Sequence, residues 1–132
     1  MLKKFFILGM LLTSIPAWAE WVEHGSYTNA GIFSYEDPAT VRRVGNYVSF
    51  VELHDYTNPT SAALGYKSIK RHAEIDCAGE RNRSLSETTY SLNMGKGTQM
   101  ASNPDPGKWY TAHETKKSSA QFDRYCNKGK PR

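Results

Sequence analysis

At 132 residues, 39% hydrophobic and 23% charged, the chain is long enough for one modest core and too short for two. Its formal charge of +4 falls to +2 once the first nineteen residues are set aside, because they carry two of the 17 basic residues and none of the 13 acidic ones. Basic residues are interleaved with acids along the rest, which argues against a nucleic-acid partner.

The chain begins with Lys3-Lys4, an apolar run from Phe5 to Pro16, then Ala17-Trp18-Ala19. Those are the three parts of a secretory signal peptide, too short to span a bilayer, with cleavage expected between Ala19 and Glu20. Residues 20–132 are therefore expected to form a single exported domain, periplasmic or secreted, with no transmembrane span. Export also decides the reading of Cys77 and Cys126. In an oxidising compartment an even cysteine count favours a disulfide, here closing a 49-residue loop.

From Trp21 to Leu92, short aromatic and β-branched runs broken by Gly, Asn, Asp and Pro read as strands and turns. Trp21-Val22-Glu23 and Ile32 to Tyr35 are two short strands around a turn-rich link. Asp37-Pro38 is expected to open a helical turn, with Asp37 as its cap and Pro38 at its first position. Asn46 to Tyr56 and Tyr66 to Cys77 form a hairpin joined by Thr57 to Gly65. In the second strand Ile69, Ala73, Ile75 and Cys77 share a buried face, Arg71 being the exception on that parity, while Ser68, Lys70, His72 and Glu74 share the wet one.

Arg81 to Leu92 and Thr98 to Ala101 continue the sheet, and Asn103-Pro104-Asp105-Pro106-Gly107 is loop. Lys116 to Asn127 changes to a helical period with Ala120, Phe122, Tyr125 and Cys126 on one side and Lys117, Asp123 and Arg124 more exposed. The expected fold class is α+β: a mainly antiparallel sheet with a C-terminal helix packed on it and a single disulfide.

Catalytic patterns are lacking. His54 and Asp55 are strand neighbours and point to opposite faces, His72 and Glu74 read as a solvated pair, and none of the four histidines has metal-ligand spacing. There is no G-x-S-x-G elbow, and Gly95-Lys96-Gly97-Thr98 lacks the upstream glycine of a phosphate loop. No cofactor, metal or enzymatic activity is expected. What remains is a basic surface: Lys67, Lys70, Arg71, Arg81 and Arg83 on adjacent strands, with Lys96 and Lys108 in loops, near Tyr66, Tyr90, Trp109 and Tyr110. Such a pattern suits an acidic polymer or a protein partner, and exposed strand edges leave a homodimer open.

The ordered set Trp21-Val22, Asp37-Pro38-Ala39-Thr40-Val41-Arg42-Arg43, Gly45-Asn46-Tyr47-Val48, Asp55-Tyr56, Ser68-Ile69-Lys70, Glu74-Ile75-Asp76-Cys77, Arg81-Asn82-Arg83, Trp109 and Tyr125-Cys126 resembles the surface-adhesin protein E family of small exported bacterial proteins. The resemblance implies an α+β domain with a disulfide joining sheet and helix, and a non-enzymatic adhesive role toward host extracellular-matrix or serum proteins, with dimers allowed. One departure stands out: surface-anchored members carry a lipoprotein cysteine at the processing site, where this chain has Trp18-Ala19-Glu20. That favours a soluble form, so the alternative is a periplasmic accessory or inhibitor domain without an adhesive role.

Overall fold

Alternating strand residues between turn signals produce a meander, and the computed structural model describes it over residues 20–127. The expected signal segment, with its cleavage side at Ala19, lies outside the described residues. Among those residues seven strands form one antiparallel sheet: β1 Val22–Glu23, β2 Ile32–Val44, β3 Tyr47–Tyr56, β4 Ser68–Asp76, β5 Arg81–Tyr90, β6 Gln99–Asn103 and β7 Tyr110–Thr111. The first six neighbour one another in chain order, and β7 returns to pair with the far end of β5. Among the described residues there are also two α-helices, α1 Thr60–Leu64 within the β3–β4 connection and α2 Lys116–Cys126 at the end. Among the described residues no helix is long and apolar enough to cross a membrane.

The expected helical turn at Asp37-Pro38 is instead a bulge within one long strand. The Asp37 carboxylate does accept from a nearby amide, that of Ala39 at 3.1 Å, as a cap would. Pro38 has no N–H for the ladder, and beside it the Thr40 hydroxyl bridges the strands: it donates to the Asp37 carbonyl at 2.7 Å and accepts from the Val51 amide at 2.8 Å. Pairing with β3 resumes at Arg42↔Ser49 and runs to Val44↔Tyr47. Resumed ladder bonds keep the chain extended, whereas a helical turn there would leave that part of β3 without a partner on this side. Gly45, at φ 58°, makes the reversal into β3.

α2 starts at Thr115, whose hydroxyl accepts from the Ser118 amide while the Ser118 hydroxyl accepts from the Thr115 amide. It packs on the inner sheet face, where Val48, Phe50, Ala73 and Ile75 meet Phe122 and Ala112. The Phe50 and Tyr125 rings stack with centroids 4.4 Å apart. The helix is rotated from the expected wheel. Ala120 is exposed, Gln121 is buried, and Lys117 and Arg124 turn inward, because carboxylates on the sheet offer them partners. Cys77, just past β4, is bonded to Cys126 in the last turn of α2, with Cα atoms 5.5 Å apart.

Candidate functional site

Strand register creates two chemically different faces. On the inner face, direct pairing lines up Glu36↔Glu52, Glu52↔Arg71 and Arg71↔Glu87 across β2 to β5. Like charges opposite one another destabilise a sheet, so each carboxylate needs its own partner. The Arg71 guanidinium donates to Glu87 at 2.9 Å and to Glu52 at 3.3 Å. From α2, the Gln121 amide donates to both Glu36 and Glu52 at 3.1 Å, Tyr125 donates its hydroxyl to Glu36 at 2.6 Å, and Arg124 also binds Glu36.

Burial raises the Glu52 pKa, but the charges of His54, Arg71 and Lys117 and the Gln121 bond outweigh it and hold the carboxyl below the usual range. His54 shows the opposite balance. Burial pushes its imidazole down to about 4, and Lys117, whose ammonium lies 3.0 Å from Nε2, adds to that against the pull of Glu52. The neutral ring therefore accepts from Lys117, which also donates to the Ser34 hydroxyl at 2.8 Å. This row holds α2 on the sheet. The sequence left its signal in Glu52 and Arg71, charged residues at inward parity, but the register that joins them to Glu36 and Glu87 is a tertiary property.

On the outer face, two cross-strand rows meet near the β2–β3 turn. One contains Tyr47, Asp76 and Arg81; the next contains Ser49, Glu74 and Arg83. The Arg81 Nε donates to Asp76 at 2.9 Å, and the Arg83 Nε donates to Glu74 at 3.0 Å. Glu74 thus pairs with Arg83, and not with His72 as expected from the sequence. The Gly79 amide, followed by Arg81, holds the Asp76 carboxyl below its usual range. Both guanidiniums lie against the indole of Trp109, with Cζ atoms 4.2 Å and 4.3 Å from the ring centroid, and Tyr47 sits 6.4 Å from the same ring. Tyr47 is 42% exposed.

The seven basic residues singled out in the sequence are thereby divided. Arg81 and Arg83 share the Trp109 cluster. Lys70 lies further along the same face, its ammonium 5.3 Å from the Tyr90 ring and 5.9 Å from the Trp21 ring. It is partly covered by the β5–β6 loop, which is fixed by Asn93 and Met94 donating to Asp55 and by Gly95 donating to Ser68. Arg71 is on the opposite face, committed to Glu52 and Glu87. Lys67, Lys96 and Lys108 are exposed in loops or at strand ends. Sequence reasoning missed Tyr47, which only the strand register brings to Trp109.

The histidines are dispersed. His54 lies under α2, while His113 bridges Ser119 at 2.9 Å and Glu80 at 3.0 Å. Among the described residues no group of three or more His, Cys, Asp or Glu is arranged to hold a metal ion.

The chain is similar to the selenomethionine form of protein E from Haemophilus influenzae, with a TM-score of 0.58 at 12% identity, over 84% of this chain and 88% of that one. At such identity the likeness concerns the fold. No curated protein matches the sequence. The family model for surface-adhesin protein E matches residues 21–127, nearly all that follows the apolar N-terminal segment. With the model spanning more than half of the sequence, this chain belongs to the surface-adhesin protein E family.

Proposed function

We propose that the chain is an exported, non-enzymatic binding module whose outer sheet face contacts a protein partner, either a host extracellular-matrix or serum protein or a protein of the bacterial envelope. Family membership supports binding, and the Arg81–Trp109–Arg83 cluster beside Tyr47 is the observation that carries the choice of face. Tryptophan, tyrosine and arginine supply most interface hot spots. Here Asp76 and Glu74 hold the two guanidiniums against the indole before any partner arrives, so little side-chain freedom remains to be lost on binding. The N-terminal segment, read as a signal peptide, supports export.

The test is affinity capture from host serum and from envelope extract, with the wild-type protein beside Trp109→Ala, Arg81→Glu/Arg83→Glu and the exposed Lys67→Glu. Recovery of a partner is expected to fall at least about tenfold for both cluster variants and to be unchanged for Lys67→Glu. Equal recovery by all four proteins would contradict the proposal.

A second reading, the soluble periplasmic accessory or inhibitor domain, rests on Ala17-Trp18-Ala19-Glu20 and on the first cysteine standing only at position 77. Cell fractionation separates the two. Surface or medium localisation favours adhesion, and complete retention in the osmotic-shock fraction favours the periplasmic role.

A further inference from the structure

α2 covers only part of the inner face. Toward β5 a cleft of about 260 Å³ stays open, with Ala73 and Ile75 as its floor and Gln121 and Tyr110 as its walls. Its mouth lies at a break in pairing. On that side β6 takes β5 from Glu87 onward and β7 takes Arg81 and Asn82, so among the described residues the stretch between has no strand neighbour, only the Gly107 amide on the Ser84 carbonyl at 2.8 Å.

The Arg71–Glu87 ion pair lies in this cleft with one terminal nitrogen of Arg71 and one carboxylate oxygen of Glu87 open. Arg71 uses Nε on Glu87 and Nη1 on Glu52, and Glu87 accepts through Oε1, so Nη2 and Oε2 have no hydrogen-bond partner among the described residues. Their side chains are 30% and 35% exposed. A donor cation therefore stands beside an acceptor anion above a half-apolar floor.

We propose that this cleft binds a small zwitterion of the α-amino-acid class, with its carboxylate on Arg71 Nη2, its ammonium on Glu87 Oε2, and its side chain over Ala73, Ile75 and Tyr110. A lone anion is disfavoured by Glu87 and a lone cation by Arg71, whereas a ligand bearing both charges one carbon apart satisfies the two valences at once. A metal ion fits poorly. Both Glu52 oxygens are already engaged, Oε1 by Arg71 and Oε2 by Gln121, leaving one free carboxylate oxygen where a cation needs several. Size points the same way: 260 Å³ is below the roughly 300–1,000 Å³ of sites for larger organic ligands. Its ion pair and floor are on the sheet face opposite Trp109, while Arg83, which lies against that indole, also lines the cleft.

The experiment follows the Gln121 side-chain amide of the exported, disulfide-bonded protein by NMR during titration with single amino acids, beginning with leucine. Isoamylamine and 4-methylpentanoate, which lack one of its two charges, are titrated in parallel. A saturable shift is expected with an amino acid, at least about tenfold weaker for both single-charge analogues and for Glu87→Gln. Binding should be abolished by Ser84→Tyr, which fills the cleft from β5 while circular dichroism confirms the fold. No saturable shift from any proteinogenic amino acid up to about 10 mM would overturn the proposal, as would equal binding by the analogues, by Glu87→Gln or by Ser84→Tyr.

Discussion

Replacing both bridge cysteines, Cys77→Ser/Cys126→Ser, is expected to lower the unfolding free energy by about 4 kcal/mol, measured by urea denaturation. The two positions are 49 residues apart, so cross-linking them removes a large loop from the unfolded ensemble. For a domain whose total stability is on the order of 5–15 kcal/mol, that is a dominant contribution. The bridge also ties the last turn of α2 to the end of β4. Without it, α2 depends on Phe122, the Phe50–Tyr125 stack and its polar bonds to Glu36 and Glu52. Its amides should therefore be the first to lose hydrogen-exchange protection. A loss under about 1 kcal/mol would mean that the inner-face contacts alone hold the helix.

Acidification from pH 6.5 to 4 is expected to remove up to about 3 kcal/mol of stability through His54. In the unfolded chain this imidazole titrates near 6.5, but in the folded protein burial and Lys117 push it down to about 4. Between these values the unfolded state binds the extra proton, so stability falls as pH falls and levels off below the folded value. Glu52 acts at lower pH: its carboxyl is held below the usual range, so the stability it supplies above its unfolded pKa is lost as it protonates. Urea denaturation at stepped pH should show a slope between pH 6.5 and 4.5 that His54→Gln largely removes, since glutamine can accept from Lys117 without titrating. Parallel slopes for wild type and variant would assign the acid sensitivity elsewhere.

Those two expectations differ in how far the sequence alone could have produced them. The disulfide, the alternation of Ile69, Ala73 and Ile75, the loop from Pro104 to Gly107 and the helical period after Lys116 were all legible, because each is written in local spacing or composition, whereas Asn103, expected in that loop, pairs with Glu87 as the end of β6. The His54–Lys117–Glu52 group was not. It depends on which strand residues stand opposite one another and on the rotation of α2, which turns Gln121 inward where periodicity favours Ala120. Asp37-Pro38 carries a genuine capping signal, and the Asp37–Ala39 hydrogen bond forms, yet pairing with β3 makes the segment a bulge. β7 is two residues long, too short to show a period, although it carries Tyr110 to the cleft and follows directly on Trp109. The basic surface was legible as composition only; register assigned Arg81 and Arg83 to Trp109 and withdrew Arg71 to the other face.

The most direct test of the account is a hydrogen-exchange footprint of the protein alone and in complex with a captured partner. The proposed binding face predicts slowed exchange over Tyr47 to Ser49, Arg81 to Ser84 and Trp109 to Thr111, with α2 unchanged. Protection confined to α2 or to β6, with these three segments exchanging as in the free protein, would contradict it.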